Sequence, residues 1–241
     1  MAIVQVFNGN LVMAAYLVGL AAILDFFDGF AARLLKVSSA IGKDLDSLAD
    51  MVTFGVVPGL VMFKLIHISE LHHFAAVKTQ ANNGIGDFFA ASTFSSSLSY
   101  IAFLIPVFSA IRLAKFNHDT RQSDSFIGLP TPANAIFICS LPLIINITKG
   151  YIDEEANVKL ADYLIQTNVL IVLTVMLSVL LVAEIPLIAL KFKNFGWKGN
   201  EIRYVFLGLS SILLIAFQFL GIPIIIIFYL LISVVNNMMK N

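Results

Sequence analysis

Charge is what this chain of 241 residues has least of. Asp, Glu, Lys and Arg together make up 12% of it, where soluble domains carry about 25%. The fifteen basic and fifteen acidic side chains cancel to zero net charge. No basic tail stands out, so no nucleic-acid partner is expected. The single cysteine, Cys139, lies in an apolar run, which excludes an internal disulfide and leaves it a packing role. No cleavable leader is expected either, because the first apolar stretch runs straight into an acidic motif. What is abundant is apolar: 59% hydrophobic residues, 21 Phe and a mean hydropathy of +0.91. These describe a single all-α, polytopic integral-membrane domain over residues 1–241.

A span needs roughly 20 apolar residues, and seven stretches are candidates. They are 11–35, 44–66, 94–116, 130–148, 163–190, 204–217 and 221–235. Residues 1–9 are too short to cross. Residues 67–93 read as a polar loop with turn material at Asn82, Asn83, Gly84 and Gly86. His67, His72 and His73 invite a zinc reading, but with no cysteine or regular ligand repeat an interfacial loop is the better one. Residues 149–162 form an acidic loop, and Trp197 among basic residues fits an interface anchor.

The informative stretch runs from Asp25 to Asp50. Asp25 and Asp28 are three apart and Asp46 and Asp50 four apart, so on helices each pair shares one face. Carboxylates inside spanning segments are costly and usually functional. Four of them on two antiparallel helices, all toward one membrane face, ask for cations, and oxygen-only ligands suit Mg²⁺ or Mn²⁺. A structural ion-pair cluster is the plain alternative, but Arg33, Lys36 and Lys43 are too few to neutralise four acids and also bind an anion. Gly29 and Ala32 leave one helix face bare, and Arg33 offers a planar cation suited to phosphate. Gly42 stands where a helix start or a close helix contact needs no side chain. Together these residues describe a diphosphate site better than a bare ion site.

The pattern D-x-x-D-G-x-x-A-R, eight residues, then G-x-x-x-D-x-x-x-D, resembles the signature of the CDP-alcohol phosphatidyltransferase family. A second, less specific stretch, R-L-A-K-F-N at 112–117 followed by F-x-G-L-P-x-P at 126–132, resembles that family's bacterial and archaeal phosphatidylserine synthase branch. The resemblance places the family core at residues 10–150, with 151–241 as additional transmembrane helices. It implies transfer of a phosphatidyl group from CDP-diacylglycerol to L-serine with release of CMP, in phospholipid biosynthesis. It implies two divalent ions, Mg²⁺ or Mn²⁺, about 3.5–4 Å apart as in other two-metal sites. Asp25, Asp28 and Asp46 would be the main metal ligands. Asp50 would share the metal set and act as the catalytic base. Gly29, Ala32, Arg33 and Gly42 would bind the CDP end, and Arg112, Lys115 and Asn117 the acceptor. Snorkelling to headgroups would equally explain Arg112 and Lys115, and glycerol 3-phosphate or inositol phosphate would also welcome two cations. A divalent-cation transporter is the reading from another class, though transporters favour midplane sites in paired repeats, and no repeat is visible.

Family members carry a complete helix before the motif helix, and only residues 1–9 precede it here, so that first helix is expected to be missing. They are also often homodimers, an expectation carried to the uncharged last spans. Alternating seven spans puts eleven basic residues on the motif side and four on the other. That is a positive-inside bias, which predicts a cell (inner) membrane protein with its site facing the cytoplasm.

Overall fold

The computed structural model describes residues 1–35, 39–80, 98–118, 125–150, 162–188, 196–197 and 200–238. A short α1 (Ala2–Phe7) ends at Gly9, whose φ of +79° turns the chain into α2 (Leu11–Leu35). Helix α3 (Ala40–Asp50) continues through a π-helical segment (Met51–Val56) into α4 (Val57–Gln80). A 3₁₀ turn (Ser99–Phe103) leads into α5 (Leu104–His118), and strand β1 (Ser125–Ile127) precedes α6 (Thr131–Gly150). Then come α7 (Thr167–Val182), β2 (Pro186–Ile188), α8 (Glu201–Phe217) and α9 (Gly221–Met238). Four helical stretches are long and apolar enough to cross a membrane, and α6 and α7 are shorter apolar helices. An all-α membrane bundle is therefore what forms, with one small antiparallel ribbon, β1–β2, at its edge.

Two stretches differ from the sequence-based expectation. Residues 67–80 continue α4 instead of entering a loop, because H-I-S-E-L-H-H-F-A-A-V-K-T-Q contains no Gly or Pro to stop a helix. His67 lies on that helix, stacked on Phe63 at 6.1 Å between ring centroids. The side chains of His72 and His73 lie outside the described residues. The expected span 163–190 is also shorter, since α7 ends at Val182 and Ala183 turns extended (ψ 136°). Pro186 disfavours helix at the residue before it and cannot donate to a helix ladder, so the chain leaves as a strand.

The core lies where α4, α6 and α7 meet, with Phe54, Met62, Ile66, Ile105, Ile138, Leu170 and Leu177 fully buried. Val6 of α1 and Val18 of α2 complete it. Helices α4 and α5 approach so closely at Gly59 that a Cβ there would lie 2.7 Å from Pro106 Cδ. The last two helices form a hairpin: Phe206 of α8 stacks on Phe228 of α9 at 6.3 Å, although 22 residues separate them. The turn uses Gln218 at φ +50° and Gly221, where a Cβ would meet the Leu213 carbonyl oxygen at 2.7 Å.

Strand β2 is docked on α9. Ile188 N–H donates to Ser233 Oγ (3.2 Å), the Tyr229 hydroxyl donates to the Ile188 carbonyl (2.8 Å), and Asn237 Nδ2 donates to the Pro186 carbonyl. The ribbon pairs Phe126 with Leu187 and Ile127 with Pro186. Gly128 follows at φ +74°, its N–H donating to the Ile185 carbonyl (3.0 Å), and a Cβ there would lie 2.7 Å from the Leu181 carbonyl oxygen. Leu129 N–H donates to the Leu180 carbonyl (2.9 Å). The start of α6 is thereby held on the end of α7.

Two substitutions test these close approaches. Gly59→Ala should lower stability by about 1–3 kcal/mol through overpacking, read as a fall in the thermal midpoint in detergent. Gly128→Ala, which combines a left-handed φ with a backbone clash, should cost at least as much.

Candidate active site

Helix α2 brings Asp25 and Asp28 to its distal half, and α3 carries Asp46 just past its middle. One carboxylate oxygen from each of the three lies within 4.8 Å of the other two. Asp25 is half-buried, while Asp28 and Asp46 are exposed. Three like charges this close repel by about 3 kcal/mol per pair at an effective dielectric of 20. The donor set is oxygen alone, the preference of hard divalent cations. On that chemistry the three residues fit such an ion.

Asp50 stands one turn further along α3, half-buried and outside that trio. Its carboxylate lies within electrostatic reach of Asp25, Asp28 and Asp46, and also of Arg112 on α5. Of the four aspartates singled out in the sequence, three converge, and the fourth lies within electrostatic reach of all three and of a cation. The π-helical segment begins immediately after Asp50. Such segments recur at functional sites because they break the α-helical register.

The small residues have separate roles. A Cβ on Gly29 would meet nothing within 4 Å, so the helix face one turn beyond Asp25 is open. Ala32 is exposed beside it. Gly42 sits in the first turn of α3, where Ser39 Oγ accepts from Gly42 N–H at 3.0 Å and a Cβ would be 2.9 Å from that hydroxyl. The cap satisfies an otherwise orphan donor, and glycine leaves it room. Arg33 belongs to α2, but its side chain, like that of Lys43, lies outside the described residues.

The R-L-A-K-F-N stretch ends α5 on the same side. Arg112 is only 7% exposed, so it does not reach for headgroups. Its Nη1 donates to Thr131 Oγ1 of α6 over a long 3.4 Å, and its guanidinium carbon lies 5.8 Å from the Phe116 ring centroid. Lys115 is exposed. Asn117 Nδ2 donates to Ser47 Oγ at 2.9 Å, strapping α5 to α3 at the residue after Asp46. Sequence reasoning missed Ser39, Ser47, Ser109, Thr131 and Asn134. Ser109, Thr131 and Asn134 are fully buried polar residues in otherwise apolar helices. Polar residues within apolar spans are the signal that could have found them.

The CDP-alcohol phosphatidyltransferase family model matches residues 1–187, which take in the aspartate motif, α5, the β1 turn and α6. The chain is 36% identical over 137 residues to a CDP-diacylglycerol–serine O-phosphatidyltransferase of Helicobacter pylori strain J99, covering 56% of this chain and 48% of that protein. A Bacillus subtilis protein of the same name is 37% identical over 109 residues, 45% of this chain and 48% of the relative. One from Methanocaldococcus jannaschii is 31% identical over 131 residues, 54% and 50% respectively. The chain thus spans about half the length of the curated relatives it matches. A family match over residues 1–187, falling on the elements that build the acidic site, carries the conclusion: this chain belongs to the CDP-alcohol phosphatidyltransferase family.

Proposed function

We propose that the chain transfers the phosphatidyl group of CDP-diacylglycerol to L-serine, giving phosphatidylserine and CMP. The observation that carries the proposal is the convergence of Asp25, Asp28 and Asp46, with Asp50 within electrostatic reach of that cluster and of the buried Arg112. The three relatives named above carry that activity in their names.

In this reading Asp25, Asp28 and Asp46 hold the divalent cations, with Asp50 at the margin of the set. When bound, the ions supply positive charge to the diphosphate and to the departing CMP. The open face at Gly29 and Ala32 lets the cytidine end lie against α2, and Arg33 is the cation assigned to its phosphates. The capped start of α3 at Gly42 shapes the same wall. The acceptor hydroxyl oxygen attacks the phosphatidyl phosphorus, and the bond from that phosphorus to the CMP phosphate oxygen breaks. Asp50 takes the hydroxyl proton and CMP leaves with the electron pair. A carboxylate is a weak base and works only when held beside the hydroxyl. Arg112, Lys115 and Asn117 line the acceptor side.

The acidic cluster, the end of α5 and the start of α6 all lie toward one end of the bundle. Trp197, exposed and stacked on Tyr204 at 5.5 Å, marks the interface before α8. With the bias of basic residues, this supports a cytoplasmic-facing site in the inner membrane. The diacylglycerol tails then stay in lipid while the diphosphate meets soluble substrates. Homodimerisation remains a proposal resting on family resemblance.

The test is CMP release from CDP-diacylglycerol in mixed micelles by the purified chain, with L-serine, glycerol 3-phosphate or no acceptor. CMP release should depend on L-serine, disappear with a chelator and return with Mg²⁺ or Mn²⁺. Asp50→Asn should lower kcat by about 10²–10⁴-fold, or about 3–5 kcal/mol in barrier. Turnover with glycerol 3-phosphate alone would overturn the acceptor, and silence with every acceptor would overturn the activity.

A further inference from the structure

The acceptor side contains buried polar groups that the proposed reaction does not yet use. Asn134 is completely buried, and among the described residues neither its Oδ1 nor its Nδ2 has a hydrogen-bond partner. The same holds for Ser109 Oγ and for Arg112 Nε. An unpaired buried polar group is costly, so several where α5 faces α6 point to a ligand that completes them.

Their placement follows from helix geometry. Arg112 meets Thr131 where the end of α5 faces the start of α6. Ser109 lies three residues back along α5 and Asn134 three residues forward along α6. Residues three apart share a helix face. Both therefore sit about 4.5 Å deeper than the Arg112–Thr131 contact, at 1.5 Å per residue. The π-helical segment closes this layer: a Cβ on Gly55 would come within 3.1 Å of Ser109 Cβ, and α6 packs against the same segment. Asp50, at the head of that segment, is within electrostatic reach of Arg112.

We propose that Asn134 is a specificity-determining residue for the acceptor, completing with Arg112 a buried site for an amino-acid zwitterion. Arg112 Nε and Asn134 Nδ2 donate to the acceptor's carboxylate, and Asn134 Oδ1 and Ser109 Oγ accept from its ammonium. The hydroxyl is left on the Asp50 side. An acceptor bearing a phosphate in place of the ammonium would bring only acceptor oxygens to Asn134 Oδ1, so the site discriminates by the sign of that group and not by size. The inference rests on the acceptor reading given above.

The experiment is steady-state kinetics of the full chain in mixed micelles, varying L-serine and CDP-diacylglycerol separately. Asn134→Leu keeps the approximate volume and removes both polar atoms; Asn134→Asp keeps an acceptor oxygen. Asn134→Leu should raise the KM for L-serine by about tenfold or more, the loss of hydrogen bonds to a charged ligand. The KM for CDP-diacylglycerol should not move, and Asn134→Asp should recover part of the serine affinity. L-Serine should also raise the thermal midpoint of the unsubstituted chain and not that of Asn134→Leu. Where Asn134→Leu does not fold, Ser109→Ala, a smaller change in the same layer, should raise the serine KM severalfold. An unchanged serine KM in a folded Asn134 variant overturns the inference, as does an equal fall in kcat for saturating substrates with both KM values unchanged, which marks a structural role filled by internal water. Serine-independent silence of the unsubstituted chain overturns the proposed function instead, so the two failures are distinguishable.

Discussion

The fold is arranged around a repulsion. Three carboxylates on two helices are held with oxygens inside 4.8 Å of one another near the edge of an apolar bundle. Nothing in hydrophobic packing favours that, since each charge there is costly in its own right. The neighbouring features surround the three acids and fix the helices that carry them. Ser39 caps α3 through the Gly42 N–H and so fixes where that helix begins. Asn117 straps α5 to α3 beside Asp46. Gly29 and Ala32 keep the adjoining face of α2 bare, leaving space where a polyphosphate could reach the same cations.

Away from the cluster, the design changes from exposed acids to buried polar groups. Arg112 is sequestered from lipid headgroups, between Thr131, the Phe116 ring and the field of Asp50. A buried guanidinium is tolerable only with counter-charge and hydrogen bonds around it. The end of α5 is therefore an electrostatic partner of α3, and the two halves of the site are coupled through Asp50. The acidic cluster and the buried cation thus share one carboxylate in their electrostatics.

The last two spans, uncharged through most of their length, acquire a purpose in this arrangement. They bear no site residue, yet Ser233, Tyr229 and Asn237 hold β2. Strand β2 holds β1, and the Gly128 turn then fixes where α6 begins relative to α7. The position of Thr131 opposite Arg112 thus depends on a hairpin at the far end of the sequence. Neutral side-chain bonds from α9 and backbone bonds of the ribbon transmit this placement without any need for charge in the hairpin.

Much of this was legible in the chain itself. Apolar runs marked the membrane helices among the described residues, and the D-x-x-D spacing put Asp25 and Asp28 on one face because the helical period demands it. Local signals failed where they were weakest: α4 runs past Ile66 to Gln80 for want of a breaker, and Pro186 ends the expected fifth span early. The apolar run expected from residue 130 placed the start of α6, but not that Gly128 must sit against the Leu181 carbonyl. Sequence spacing determined which residues share a helix face, since 3.6 residues per turn is a local property. Only the tertiary structure decided which faces meet: Asp46 beside Asp25 and Asp28, Asp50 within electrostatic reach of Arg112, and Asn134 buried with no partner among the described residues. Those pairings depend on how helices distant in sequence pack, and no local period encodes that.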